Sequence, residues 1–208
     1  MTVVSRKPVI GVVGGIGAGK STVAAALARR GGAVVDADAL GHRALELPAV
    51  KGRLVDRWGV RVLRPDGTAD RRAIAGVVFA DPAERRALEG LVFPHIRRLA
   101  EERIAAANAD PAARFVVLDA AVLLEAGWDG VCDKLVYVDA PRAVRLARLA
   151  ARSGWAEPEV AAREAAQLAE AEKRGRADAV LVNDGPPDRL DAQIDQMLAG
   201  WGLPPTAH

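Results

Sequence analysis

The octapeptide Gly14-Gly15-Ile16-Gly17-Ala18-Gly19-Lys20-Ser21 limits what this chain can fold into more than any other stretch, because it meets G-x-x-x-x-G-K-[ST] at every position. Glycines there let the backbone curl until successive NH groups point at an anion, and a helix starting at the loop's end adds partial positive charge. Such a loop works only between a strand and a helix, and both flanks agree. Pro8-Val9-Ile10-Gly11-Val12-Val13 reads as a short buried strand, and the alanine-rich run from Thr22 to Arg30 reads as a helix. The stretch therefore predicts a nucleoside triphosphate site. The backbone from Gly15 through Ile16, Gly17, Ala18 and Gly19 would surround the phosphates, Lys20 would reach the terminal ones, and Ser21 would ligate magnesium.

The rest of the composition narrows the class. At 208 residues with half of them apolar, the chain suits one medium domain, or a core with a small appendage. Cys132 is the only cysteine, so no intramolecular disulfide framework exists, and a small buried filler is its expected role. Residues Met1 to Lys7 lack an apolar leader core, and no apolar run approaches the ~20 residues of a membrane span. A cytoplasmic protein without membrane attachment is expected. A net charge of +2 and an aromatic content of 4% supply neither the field nor the stacking surface of a nucleic-acid binder.

Along the chain, Gly31-Gly32 ends the first helix, and Ala33-Val34-Val35-Asp36 reads as a second strand running into Asp36-Ala37-Asp38. In an open parallel sheet ligands gather outside the carboxyl ends of strands, so Asp38 is expected near the same crevice as the loop. Its carboxylate could take the proton of an attacking hydroxyl or help hold metal and water; equally, it could cap the helix that follows. Pro48 to Trp58 reads as a helix, Pro65-Asp66-Gly67 as a turn, and Asp70-Arg71-Arg72 as the start of another helix. From Pro82 to Asn108 the pattern is helical, with Pro94 expected to kink or divide it. This region reads as a helical insertion, in which His95 is expected to be solvated or structural rather than a ligand.

Arg114 to Asp119 then reads as a core strand ending in an acid, a form that suits a second metal-handling element, and Glu125 follows in its loop. Lys134 to Asp139 is a further strand. Arg142, Arg145, Arg148 and Arg152 come next on one helix at spacings of three, three and four, within an arc of roughly 120°. Such a stripe suits a lid that clamps polyphosphate. A charged helix is expected from Glu159 to Arg174, a last strand over Ala179 to Val182, and a last helix from Asp188 to Ala199. Asn183, at the end of that strand, could meet a base or ribose or could form a turn. The fold class expected is α/β: a parallel sheet of the P-loop nucleoside-triphosphate hydrolase type with flanking helices, a helical substrate-binding insertion and a lid.

With these landmarks in place the sequence resembles dephospho-coenzyme A kinase over nearly its whole length. The resemblance rests on the loop through Thr22, on Val35-Asp36-Ala37-Asp38, on Asp66-Gly67 with Asp70-Arg71-Arg72, and on Leu123-Leu124-Glu125. Arg148, Arg152, Arg163, Gln167, Lys173 and Asn183-Asp184-Gly185 complete it. It implies transfer of a phosphoryl group from ATP, with magnesium, to the ribose 3'-hydroxyl of dephospho-coenzyme A; no extended partner-binding segment is present, so no obligate protein partner is expected. It further implies a nucleotide core over 8–38 and 112–200, a substrate-binding portion over 39–111 and a lid over 141–175. By the same match Asp38 is the general base, Arg148 a phosphate-contacting lid arginine, and Arg71 a substrate contact. Thr22 is then a nucleotide contact, and Asn183 borders the adenine. Four positions depart from the family pattern: Val13 for a threonine, Phe93 for a histidine, Ala121 for a proline and Arg145 for a glutamine.

Overall fold

The computed structural model describes residues 6–204; Met1 to Ser5, on which the expectation about a leader falls, and the last four residues lie outside the described residues. The chain forms two compact units, one made of 6–36 with 104–204 and one of 37–103.

The first unit is built on five parallel strands, β1 (Val9–Gly14), β2 (Gly32–Asp36), β3 (Phe115–Asp119), β4 (Lys134–Asp139) and β5 (Ala179–Val182). Their order across the sheet is β2-β3-β1-β4-β5, which puts the loop-bearing β1 in the centre. All six residues of β1 are buried, as expected for a strand covered on both faces, where apolar runs replace alternation. Helices α1 (Lys20–Ala28) and α9 (Pro187–Gly200) supply Val23, Leu27, Leu190, Ile194 and Leu198 to a core shared with Ile10, Val12, Phe115, Val117, Val136, Val138 and Leu181. Each fully buried side chain of this size stabilises by about 1.5–3 kcal/mol, enough to hold the strand ends in place.

The second unit is helical: α2 (Ala37–Leu45), α3 (Pro48–Trp58), α4 (Arg71–Ala80) and the greater part of α5 (Pro82–Ala109). Val50, Leu54, Trp58, Ile74, Val92, Ile96 and Leu99 are buried within it. The turn before α4 is fixed by Asp66, whose carboxylate accepts from the Thr68 backbone NH and hydroxyl, and by a bridge between Leu63 and Ala69. Asp70 caps α4, accepting from the NH groups of Ala73 and Arg72, and these bonds hold its carboxyl below the usual range.

Three expectations change. Pro94 does not divide α5, which runs unbroken for 28 residues. Proline there costs only the bond to Gly90, and both residues lie on the exposed side where water can serve that carbonyl. The charged helix is two helices, α7 (Glu157–Glu164) and α8 (Glu170–Gly175), because the NH of Leu168 is taken at 2.9 Å by the carboxylate of Glu125. Asp38 does not precede α2 as a cap but lies in its first turn.

Candidate active site

The loop leaves β1 at Gly14 and becomes α1 at Lys20. Gly17 and Gly19 have φ of 79° and 97°, a left-handed backbone that glycine adopts without strain. At Gly19 a side chain is also excluded by space, since a Cβ there would lie 2.1 Å from the amide nitrogen of Asn183. No side chain caps α1 at Gly19, so this helix end meets its surroundings through backbone NH groups. Lys20 Nζ donates to the carbonyls of Gly14 and Gly15 at 3.1 and 3.2 Å, which bends the ammonium back over the loop. Ser21 and Thr22, in the first turn of α1, are exposed, and Ala18 is buried.

The arginine stripe lies on α6 (Arg142–Ser153), and its members have different surroundings. Arg142 and Arg152 are exposed, Arg148 is half-buried and Arg145 is buried. Helical spacing does not separate them, since Arg142 lies on the same face as the buried Leu149; Arg145 and Arg148 instead sit where the middle of α6 packs against the loop, at the carbonyls of Ile16 and Ala18. Arg148 donates to the Asn183 carbonyl at 2.9 Å and to the Ala18 carbonyl at 3.3 Å. The side-chain amide of Asn183, itself buried, donates to the same Ala18 carbonyl at 2.8 Å. The end of β5 and the middle of α6 thus meet at a single loop peptide.

Two charged clusters around this face were not foreseen. Arg145 pairs with Glu164 at 2.7 Å and Glu170 at 2.6 Å, and donates to the Ile16 carbonyl at 3.2 Å. Lys173, only 2% exposed, pairs with Glu125 at 2.8 Å and donates to Gln167 at 2.9 Å. The 48 positions between Glu125 and Lys173 hide their contact from any reading by spacing. Tyr137 Oη lies 3.4 Å from Glu170, and burial, followed by that carboxylate, pushes its phenol up to about 12. Burial likewise pushes the Cys132 thiol up to about 12, which leaves it a protonated filler.

Of the other expected site residues, Asp38 is exposed in the first turn of α2, two residues beyond the end of β2. Arg71 opens α4 in the second unit, exposed, with its guanidinium 2.7 Å from His42 Nε2. Asp119 ends β3, in register with Val12 of β1 and Asp36 of β2. Among the described residues no three His, Cys, Asp or Glu side chains cluster to form a metal cage.

A family model described as dephospho-CoA kinase matches residues 8–188. The chain belongs to the dephospho-CoA kinase family. A dephospho-CoA kinase of Anaeromyxobacter dehalogenans is 45% identical over 195 residues, covering 92% of this chain and 90% of that protein. Among solved structures, a Thermus thermophilus protein superposes with a TM-score of 0.81 at 41% identity, over 94% of this chain and 98% of the other. A shikimate kinase of Bacteroides thetaiotaomicron shares the fold at a TM-score of 0.54 and 15% identity, over 94% of this chain and 98% of its own. The parallel sheet with flanking helices is thus the architecture of P-loop kinases, as expected from the loop.

Proposed function

We infer that this protein is an ATP-dependent kinase that phosphorylates the ribose 3'-hydroxyl of dephospho-coenzyme A, giving coenzyme A and ADP in the last step of coenzyme A biosynthesis. The observation that carries this is the family match across residues 8–188, on a chain whose loop has the backbone a polyphosphate needs. The transfer is in-line, and positioning with charge neutralisation supplies most of the catalysis.

The NH groups from Gly15 to Thr22 receive the phosphates at the amino end of α1. Lys20 exchanges its loop carbonyls for β- and γ-phosphate oxygens. Magnesium suits this site, because that ion keeps most of its water and phosphate ligands and asks little of the protein; the exposed hydroxyl of Ser21 would hold it. When bound, the ion neutralises charge on the phosphates. Arg148 stabilises charge on the transferring group, and Asn183, by holding Ala18, places the loop beside the segment that borders the adenine. Asp38 accepts the proton of the 3'-hydroxyl, and Arg71 binds the acceptor. Helices α6 to α8 act as the lid, whose closure over both substrates limits loss of ATP to water. The enzyme works in the cytoplasm.

ADP release with and without dephospho-coenzyme A, and with shikimate and nucleoside monophosphates as control acceptors, tests this reading. Release that depends on dephospho-coenzyme A alone is expected. Equal release without an acceptor, or with a control acceptor, would overturn it.

A further inference from the structure

Arg145 is 5% exposed, and nothing in the transfer described above uses it. Its Nη1 donates to the Ile16 carbonyl in the loop and to Glu164 at the end of α7, and its Nη2 pairs with Glu170 at the start of α8. The cluster packs on the loop backbone itself. A Cβ built on Gly15 would lie 2.7 Å from a Glu170 oxygen and 2.8 Å from Arg145 Nη1. The Nε of Arg145 is buried with no hydrogen-bond partner, so the group accepts a desolvation cost in order to sit here.

A peptide unit is planar and trans, so its C=O and N–H point in opposite directions. A donor that holds the Ile16 carbonyl therefore aims the NH of Gly17 the other way. The same holds one step along the loop, where Arg148 and Asn183 hold the Ala18 carbonyl and so aim the NH of Gly19. Two alternate loop peptides are thus oriented from the α6 side. A planar guanidinium can hold one carbonyl and two carboxylates together, whereas an ammonium is a single point charge and a glutamine amide carries no charge at all.

We propose that Arg145 is a positioning residue for nucleotide binding: it orients the Ile16–Gly17 peptide of the phosphate loop and ties that peptide, through Glu164 and Glu170, to the α7–α8 segment. The proposal rests on the reading of the loop as the ATP site. If Arg145 only filled space, its loss would lower the melting temperature and leave nucleotide affinity alone.

Calorimetric titration of the whole protein with magnesium β,γ-methylene-ATP separates these cases. Arg145→Gln should weaken binding about tenfold, raising KM for ATP while KM for dephospho-coenzyme A stays put. Arg145→Lys should recover only part of the loss. Glu164→Gln, a change at a carboxylate 24% exposed, should weaken binding about two- to threefold through Arg145. It keeps the test open if the arginine variants do not fold. In the double variant with Arg145→Gln, that second effect should vanish. Wild-type affinity in Arg145→Gln, or in Glu164→Gln if the arginine variants do not fold, would overturn the proposal. So would a rise of both KM values together. A wild-type protein that binds no nucleotide would instead sink the reading of the loop on which the proposal rests.

Discussion

The two units keep their polar groups in different places. All three buried polar or charged side chains among the described residues, Arg145, Lys173 and Asn183, lie in the sheet-based unit, and two of them bond the phosphate loop directly. The helical unit has an apolar interior, with its charges at the surface: Glu84 receives Arg57 and Trp58, Asp70 caps α4, and Arg71 meets His42. A buried ionic network is a poor source of net stability, since desolvation offsets much of the attraction, but it fixes geometry. The contrast fits the function proposed above, in which the sheet-based unit presents NH groups in set directions to a polyphosphate and the helical unit offers accessible groups to the acceptor.

That contrast predicts which step each residue controls. The largest effect is expected at Lys20→Ala, which should cut transfer by about 1,000-fold or more by removing charge from the γ-phosphate. Near-normal turnover in a coupled ADP assay would break the account of the nucleotide unit. Asp38→Asn should lower single-turnover transfer by about 100-fold or more while calorimetry finds nucleotide affinity unchanged. An Asp38→Asn protein that fails to fold would return this residue to a structural role. Arg71→Ala should raise KM for the acceptor by roughly three- to tenfold, in keeping with loss of one charge-assisted hydrogen bond, and leave KM for ATP alone. A rise in KM for ATP instead would mean that the helical unit serves the nucleotide too.

The smallest effect concerns Glu84, and it sharpens the contrast through pH. Its bond from Arg57, followed by that from Trp58, holds its carboxyl below the usual range. A carboxyl whose folded value is depressed contributes stability that is present above its unfolded pKa and lost as pH falls through the folded one. Melting curves should therefore show Glu84→Gln slightly less stable than the parent at pH 7, with the gap closing below about pH 4. A gap that persists in acid would mean that Glu84 acts by packing rather than by charge. Neither KM should change.

Much of the sheet unit was legible in the sequence because its signals are local. The strands of Val9–Gly14 and Phe115–Asp119 are continuous apolar runs, and the loop glycines stand where a left-handed φ is required. What escaped depends on distance along the chain. Leu168 gives its NH to Glu125, 43 positions away, and this breaks a helix that local propensity alone would continue. Arg145 and Arg148 share a stripe with Arg142, yet only the packing of α6 against the loop separates buried from exposed members. Spacing left Asn183 open between a ligand contact and a turn. The structure shows a third use, a bond to the Ala18 carbonyl that also explains why position 19 admits no Cβ.

In the proposed reaction a loop preset for polyphosphate and a carboxylate after β2 act on one ribose hydroxyl. Phosphorus NMR of a reaction with limiting ATP tests it most directly, by locating the new ester while counting ADP. One 3'-monoester signal on the coenzyme for each ADP formed is the predicted result. ADP without a new ester, or an ester at another position, would contradict the account.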